Sequence, residues 1–202
     1  MMFKSLAFGA MAAALILALG STTAVAQVTG IDDVYAVGHF SNAHVTGAPD
    51  GVLRVVNDGT LSDASPAGDL CASIYVFDST EELNECCSCR VTPNGILSLS
   101  VNTNLTNNTL TGRTPTRGVI KVVSSKLSGS TCDARAVVPQ TGIRGWITHV
   151  QKSSNTSYSL TEEELLDSTY GSSESADLAE DCTVLMELGT GAGVCSCTDT
   201  AK

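Results

Sequence analysis

Eight cysteines carry most of the reactive chemistry available to this chain: Cys71, Cys86, Cys87, Cys89, Cys132, Cys182, Cys195 and Cys197. Two chemistries suit them. One is oxidation to disulfides, the default for an even number of cysteines outside the cytoplasm. The other is a thiolate metal site built from Cys86/Cys87/Cys89 and Cys195/Cys197. Zinc sites favour two-residue gaps between ligands, whereas the gaps here are zero and one, so spacing gives metal no advantage over disulfides. Cys86 and Cys89 are spaced as a dithiol would be, but Cys87 fills the gap and no strand-then-helix context follows. Neighbouring cysteines seldom bridge each other without strain. The Cys86-Cys87-Ser88-Cys89 cluster is therefore expected to be stapled to distant partners. Cys195-Ser196-Cys197 is the natural candidate, and Cys132 with Cys182 is a further pairing. Eight cysteines allow about 105 pairings, and spacing alone does not choose among them.

No other group of residues has an equally definite chemistry. His39 and His44 lie five apart, with Asp32, Asp33 and Asp50 near in sequence; a histidine–carboxylate metal site is conceivable, and isolated surface histidines are the simpler expectation. His149 is the third histidine. There is no H-E-x-x-H, G-x-S-x-G or phosphate-binding glycine loop. Gly189 to Gly193 follows a helix instead of opening one, which is wrong for a dinucleotide; it reads as a link delivering Cys195 and Cys197. No catalytic, cofactor-binding or metal-ligating residue is assigned, and no cofactor is expected. Three Asn-x-Ser/Thr triplets begin at Asn104, Asn107 and Asn155 and would be glycan acceptors only in a eukaryotic secretory route.

The compartment follows from the N-terminus. Lys4, a short apolar run from Leu6 to Leu19, and Ala24-Val25-Ala26 have the order of a cleavable signal peptide over residues 1–26. The apolar run is shorter than the roughly 20 residues of a membrane span, and no second one follows. The composition, 11 Lys+Arg against 21 Asp+Glu for a net charge of −10, makes nucleic acid a poor partner, because a phosphate backbone demands basic clusters. Few aromatics remain (Tyr35, Phe40, Tyr75, Phe77, Trp146, Tyr158, Tyr170), which argues against a sugar- or base-stacking platform.

The elements that position the cysteines read mainly as strands. Val34–Val37 with His39-Phe40, Val52–Val56, Cys71–Phe77, Leu83–Thr92, Ile96–Val101, Val119–Val123 and Trp146–Val150 are separated by turn residues such as Pro49-Asp50-Gly51 and Pro93-Asn94-Gly95. Cys71–Phe77 is apolar nearly throughout, so both of its faces should be covered. This spacing predicts an antiparallel, disulfide-stapled β-sandwich, Ig-like in its general plan, with one or two short C-terminal helices. Thr161 to Glu164 matches a capping box opening the first. Leu178, Cys182, Leu185 and Met186 form a helical stripe over about 174–188, with Gly189 as the expected stop. The domain reading is 1–26 signal peptide, 27–158 sandwich, and 159–202 a helical segment and cysteine-bearing tail packed on it.

Leu70-Cys71-Ala72-Ser73-Ile74-Tyr75-Val76-Phe77-Asp78, Glu85-Cys86-Cys87-Ser88-Cys89, Thr92-Pro93-Asn94-Gly95 and the tail through Cys195-Ser196-Cys197 together resemble a group of exported bacterial proteins of unknown function. The resemblance spans about residues 50–197. It implies a bacterial source and a secreted, periplasmic or cell-surface location, and it brings no activity and no site residues. The function expected is a structural or interaction module at or beyond the envelope, such as an adhesin or appendage subunit, with protein partners or self-assembly. Val52–Val56 and Val119–Val123 are the strands expected to offer an edge for strand addition. A metal-binding or redox protein and a secreted hydrolase are the alternatives.

Overall fold

The computed structural model describes residues 34–60 and 68–198; the signal-peptide reading at 1–26, together with Asp32 and Asp33, lies outside the described residues. Two antiparallel sheets form the body. The first has the order β4-β3-β6-β1-β9: Leu83–Val91, Leu70–Asp78, Arg117–Ser125, Tyr35–Ser41 and Leu166–Asp167. The second has the order β5-β2-β7-β8: Ile96–Ser100, Val52–Asn57, Ile143–Lys152 and Tyr158–Glu164. A single long helix, α1, runs from Ser172 to Gly189 and is followed by a short strand, β10, at Thr190–Gly193.

Side-chain alternation sorts the strands into three layers. In β3, Ala72, Ile74 and Val76 face the second sheet and join Leu53, Val55, Leu97, Leu99, Ile120, Val122 and Ile147 in one core. Tyr75 on the opposite face joins Tyr35, Val123, Leu178 and Leu185 in a second core beneath α1. Each fully buried Leu, Ile or Val contributes about 1.5–3 kcal/mol. The apolar run of β3 is thus explained: it is a central strand, sandwiched between a sheet and a helix. Leu165 enters the main core at the far side, where a Cβ on Gly38 or Gly145 would collide with it.

Several expectations are corrected. Thr161–Glu164 is strand, not the first turn of a helix: β8 pairs along β7, with Val150 opposite Leu160 and His149 opposite Thr161. The pattern Thr-x-x-Glu is present, but no apolar helical stripe follows it, and the serine-rich turn at Ser153–Ser157 closes a hairpin instead. The sandwich therefore continues past 158 to Asp167. Gly189 is the last helical residue and Thr190 takes the left-handed conformation, φ 47°. Val52–Val56 and Val119–Val123 both lie inside their sheets, flanked by strands on each side, so neither offers an edge. In β2 burial alternates, with Leu53 and Val55 in the core and Arg54 on the outer face, so apolar content does not mark an edge. After β5 the chain forms a π-helical turn, Val101–Leu105, capped by Ser100.

Candidate functional site

The β3–β4 hairpin is where the chemistry gathers. On β4, successive residues alternate faces, so Cys86 points to α1 while Glu85, Cys87 and Cys89 share the other side. The helix stripe brings Cys182 over the first face, and Cys86 bonds it with a Cα separation of 5.9 Å. The chain then leaves α1 through β10 and runs beside β4, with Val194 bridged to Cys86 in parallel. From there Cys195 reaches Cys87 and Cys197 reaches Cys89, at Cα separations of 5.3 and 5.4 Å. Cys71, on β3, holds Cys132 of the loop after β6, at 5.6 Å. All eight cysteines are paired.

The expected stapling of Cys87 and Cys89 to Cys195 and Cys197 is what the structure contains, but Cys132 with Cys182 is not. Cys182 sits over β4 at Cys86, opposite Tyr75, whereas Cys132 is taken by Cys71, four residues earlier on β3. Cys86 does not belong with its neighbours, since adjacency puts it on the helix side. The sulfurs of Cys87, Cys89 and Cys197 lie within 4.8 Å of one another. As disulfide sulfurs they present no thiolate to a metal.

A hydrogen-bonded latch surrounds the tail. The Asn108 amide donates to the carbonyls of Gly191 (2.8 Å) and Val194 (3.0 Å), and Gly193 N donates to Asn108 O (2.6 Å). Asn104 donates to Thr198 O at 2.9 Å and accepts from Ser100 N at 2.8 Å. Asn104 is buried, so the first of the three glycan triplets is closed to modification in the folded chain. Beneath the latch lies Glu85, wholly buried. Its Oε1 accepts from Asn108 N at 2.6 Å, and its Oε2 has no partner. Burial outweighs the Asn108 bond and pushes its carboxyl up to about 7. No sequence signal marked Glu85, because position in an edge strand decides its burial.

The histidines are not brought together as one site. His44 bonds Thr106 Oγ1 at 2.8 Å. His39 and His149 pack with their rings tilted by 60° and 4.0 Å between centroids. His149 is buried and lies 3.5 Å from Glu163; burial first, then His39, lowers its pKa, and Glu163 opposes them. Among the described residues no serine hydroxyl hydrogen-bonds either ring, so an activated nucleophile is not assembled there.

At the turn end of the same hairpin, three cavities adjoin. The first, about 390 Å³, is lined by the Glu81–Asn84 turn, by Leu110 and Thr111, and by Val184 and Leu185 of α1. The second, about 530 Å³, shares Glu82, Asn84 and Thr111 with it and adds Arg113 and Arg117. The third, about 460 Å³, shares Ser79, Thr116 and Arg117 with the second. The turn is held by Asp78, whose Oδ1 accepts from Thr80 N at 2.7 Å and Glu82 N at 3.2 Å.

Fold and staples together define the class: a β-sandwich with a helix and a C-terminal tail bonded covalently to one hairpin. No family model matches the chain, and no curated protein or solved structure is significantly similar to it.

Proposed function

We propose that this protein is an exported interaction module, structural in kind, which works at or beyond the cell envelope as an adhesin or appendage subunit would. One observation carries the reading. Four disulfides fasten α1, the tail and the Cys132 loop to the single β3–β4 hairpin, and the turn end of that hairpin is left open as adjoining cavities. A hairpin held from three sides presents its turn rigidly, which lowers the ordering cost of binding. Paired cysteines favour this reading over a metal or redox role, since neither thiolate ligand nor free dithiol remains.

The test is sedimentation velocity of the disulfide-bonded protein over a wide concentration range, together with crosslinking on the producing cells. A defined complex, with itself or a partner, is the expected result. A strict monomer that crosslinks to nothing would overturn the proposal.

A further inference from the structure

The first cavity has a composition unlike the rest of the surface. Its floor is apolar: Leu83 and Leu185 lie beneath, and Leu110 (38% exposed) and Val184 (47%) remain open to solvent. Its rim carries four carboxylates, Glu81 and Glu82 from the turn and Glu180 and Asp181 from α1. Four acidic groups elsewhere are matched to bases: Glu162 to Arg54, Asp69 to Arg90, Glu174 to Lys121, Asp133 to Arg135. The four rim carboxylates have no such partner among the described residues. Two elements that are remote in sequence thus converge unneutralised charge around one exposed apolar floor. Beyond the shared wall of Glu82 and Asn84 the sign reverses, with Arg113 and Arg117 lining the second cavity.

We propose that this groove takes a cationic, amphipathic polypeptide segment of a partner protein. An apolar side chain would sit on Leu110, Val184 and Leu185, and lysine or arginine side chains would meet the four carboxylates; Arg113 and Arg117 would turn the segment away from the second cavity. The inference rests on the reading of the protein as an interaction module and names the partner's chemistry. Charge complementarity selects this occupant. A second copy of this chain, at net charge −10, would be repelled from the acidic rim, and the apolar floor gives a purely polar polycation nothing to bury.

The experiment uses the full disulfide-bonded protein and a short fluorescein-labelled peptide alternating Lys and Leu, with binding read by anisotropy. Saturable binding that weakens with added salt is expected. Replacing all four rim carboxylates (Glu81→Gln, Glu82→Gln, Glu180→Gln, Asp181→Asn) should weaken it by about tenfold or more. Val184→Ser should weaken it as well, without changing its salt dependence. A charge-matched control far from the groove, Glu162→Gln with Glu163→Gln, Glu164→Gln and Asp167→Asn, should shift affinity less than about twofold. The proposal fails if control and groove variants weaken binding equally, if a Glu/Leu peptide binds as well, or if spermine matches the peptide in affinity. Should the peptide fail while a crosslinked complex persists on cells, this groove is not the docking surface and the broader functional reading stands.

Discussion

Glu85 occupies a place where a carboxylate is costly: wholly buried, with one oxygen bonded to Asn108 N and the other to nothing. Because its folded pKa of about 7 lies above the ordinary 4.5, the folded state holds the proton more tightly than the unfolded one. Its contribution to stability is therefore fully present below about pH 4.5 and is lost as pH rises through 7, by on the order of 3 kcal/mol. Melting temperature measured across this range should decline for the native chain, and Glu85→Gln should flatten the decline. His149 works with the opposite sign. Its lowered pKa means that stability is present above the ordinary value near 6.5 and is lost as pH falls through the folded one. His149→Gln should remove that acid-side loss in the same measurement. Gly193 has little room for change. Its φ is +79°, and a Cβ would run into Leu185. Gly193→Ala should loosen the tail, seen as faster hydrogen exchange at Gly193 and Cys195.

At the scale of elements, α1 is held by one covalent bond and one ionic cluster. Cys86–Cys182 closes a sequence separation of 96 residues, which in the chain-entropy view is worth about 4–5 kcal/mol. Tyr35 Oη (2.8 Å) and Lys121 Nζ (2.6 Å) both donate to Glu174 in the helix's first turn. Cys86→Ala with Cys182→Ala should lower stability by about 2–5 kcal/mol, with denaturant unfolding as the readout. The acidic run on β8 has a different role: Glu162, Glu163 and Glu164 lie on the outermost strand of its sheet, where charge discourages pairing with another chain. Glu162→Val with Glu164→Val should promote self-association in sedimentation. Strand positions were legible because alternation in Ile96–Ser100 and continuity in Leu70–Asp78 are local signals of burial. β8 was not legible: Thr161-x-x-Glu164 satisfies a local capping rule, and only the partner strand β7, a tertiary fact, overrides it. The helix at Ser172–Gly189 was visible in its stripe of Leu178, Cys182 and Leu185, but which face of which strand it covers is not a local property, and so Cys182 could not be assigned to Cys86.

For the molecule as a whole, the body is three layers, sheet on sheet with a helix over one outer face. Two cores result, one between the sheets and one beneath α1. Intact mass of the protein, denatured without reductant, should fall about 8 Da below the fully reduced chain, two hydrogens for each of four bridges. Partial reduction should open Cys89–Cys197 first, because Cys197 is exposed while Cys71, Cys86, Cys87, Cys182 and Cys195 are buried. The adjoining cavities were invisible in the sequence. Glu81 and Glu82 stand in a turn and Glu180 and Asp181 on a helix, about a hundred residues apart in sequence, and no local pattern joins the two pairs. Only the packing of α1 beside the hairpin turn puts the four around one apolar floor.

The connectivity also sets a problem in time. In chain order the cysteines run 71, 86, 87, 89, 132, 182, 195, 197, and no bridge joins consecutive members of that series. A ribosome delivers Cys86, Cys87 and Cys89 together, then adds roughly a hundred residues before their partners exist, on the order of ten seconds at ordinary elongation rates. Apart from Cys71–Cys132, any bridge an oxidant closes during that interval is a wrong one. The native pattern must then be reached by reshuffling after synthesis ends, so yield of the folded protein should depend on a disulfide isomerase far more than on an oxidase.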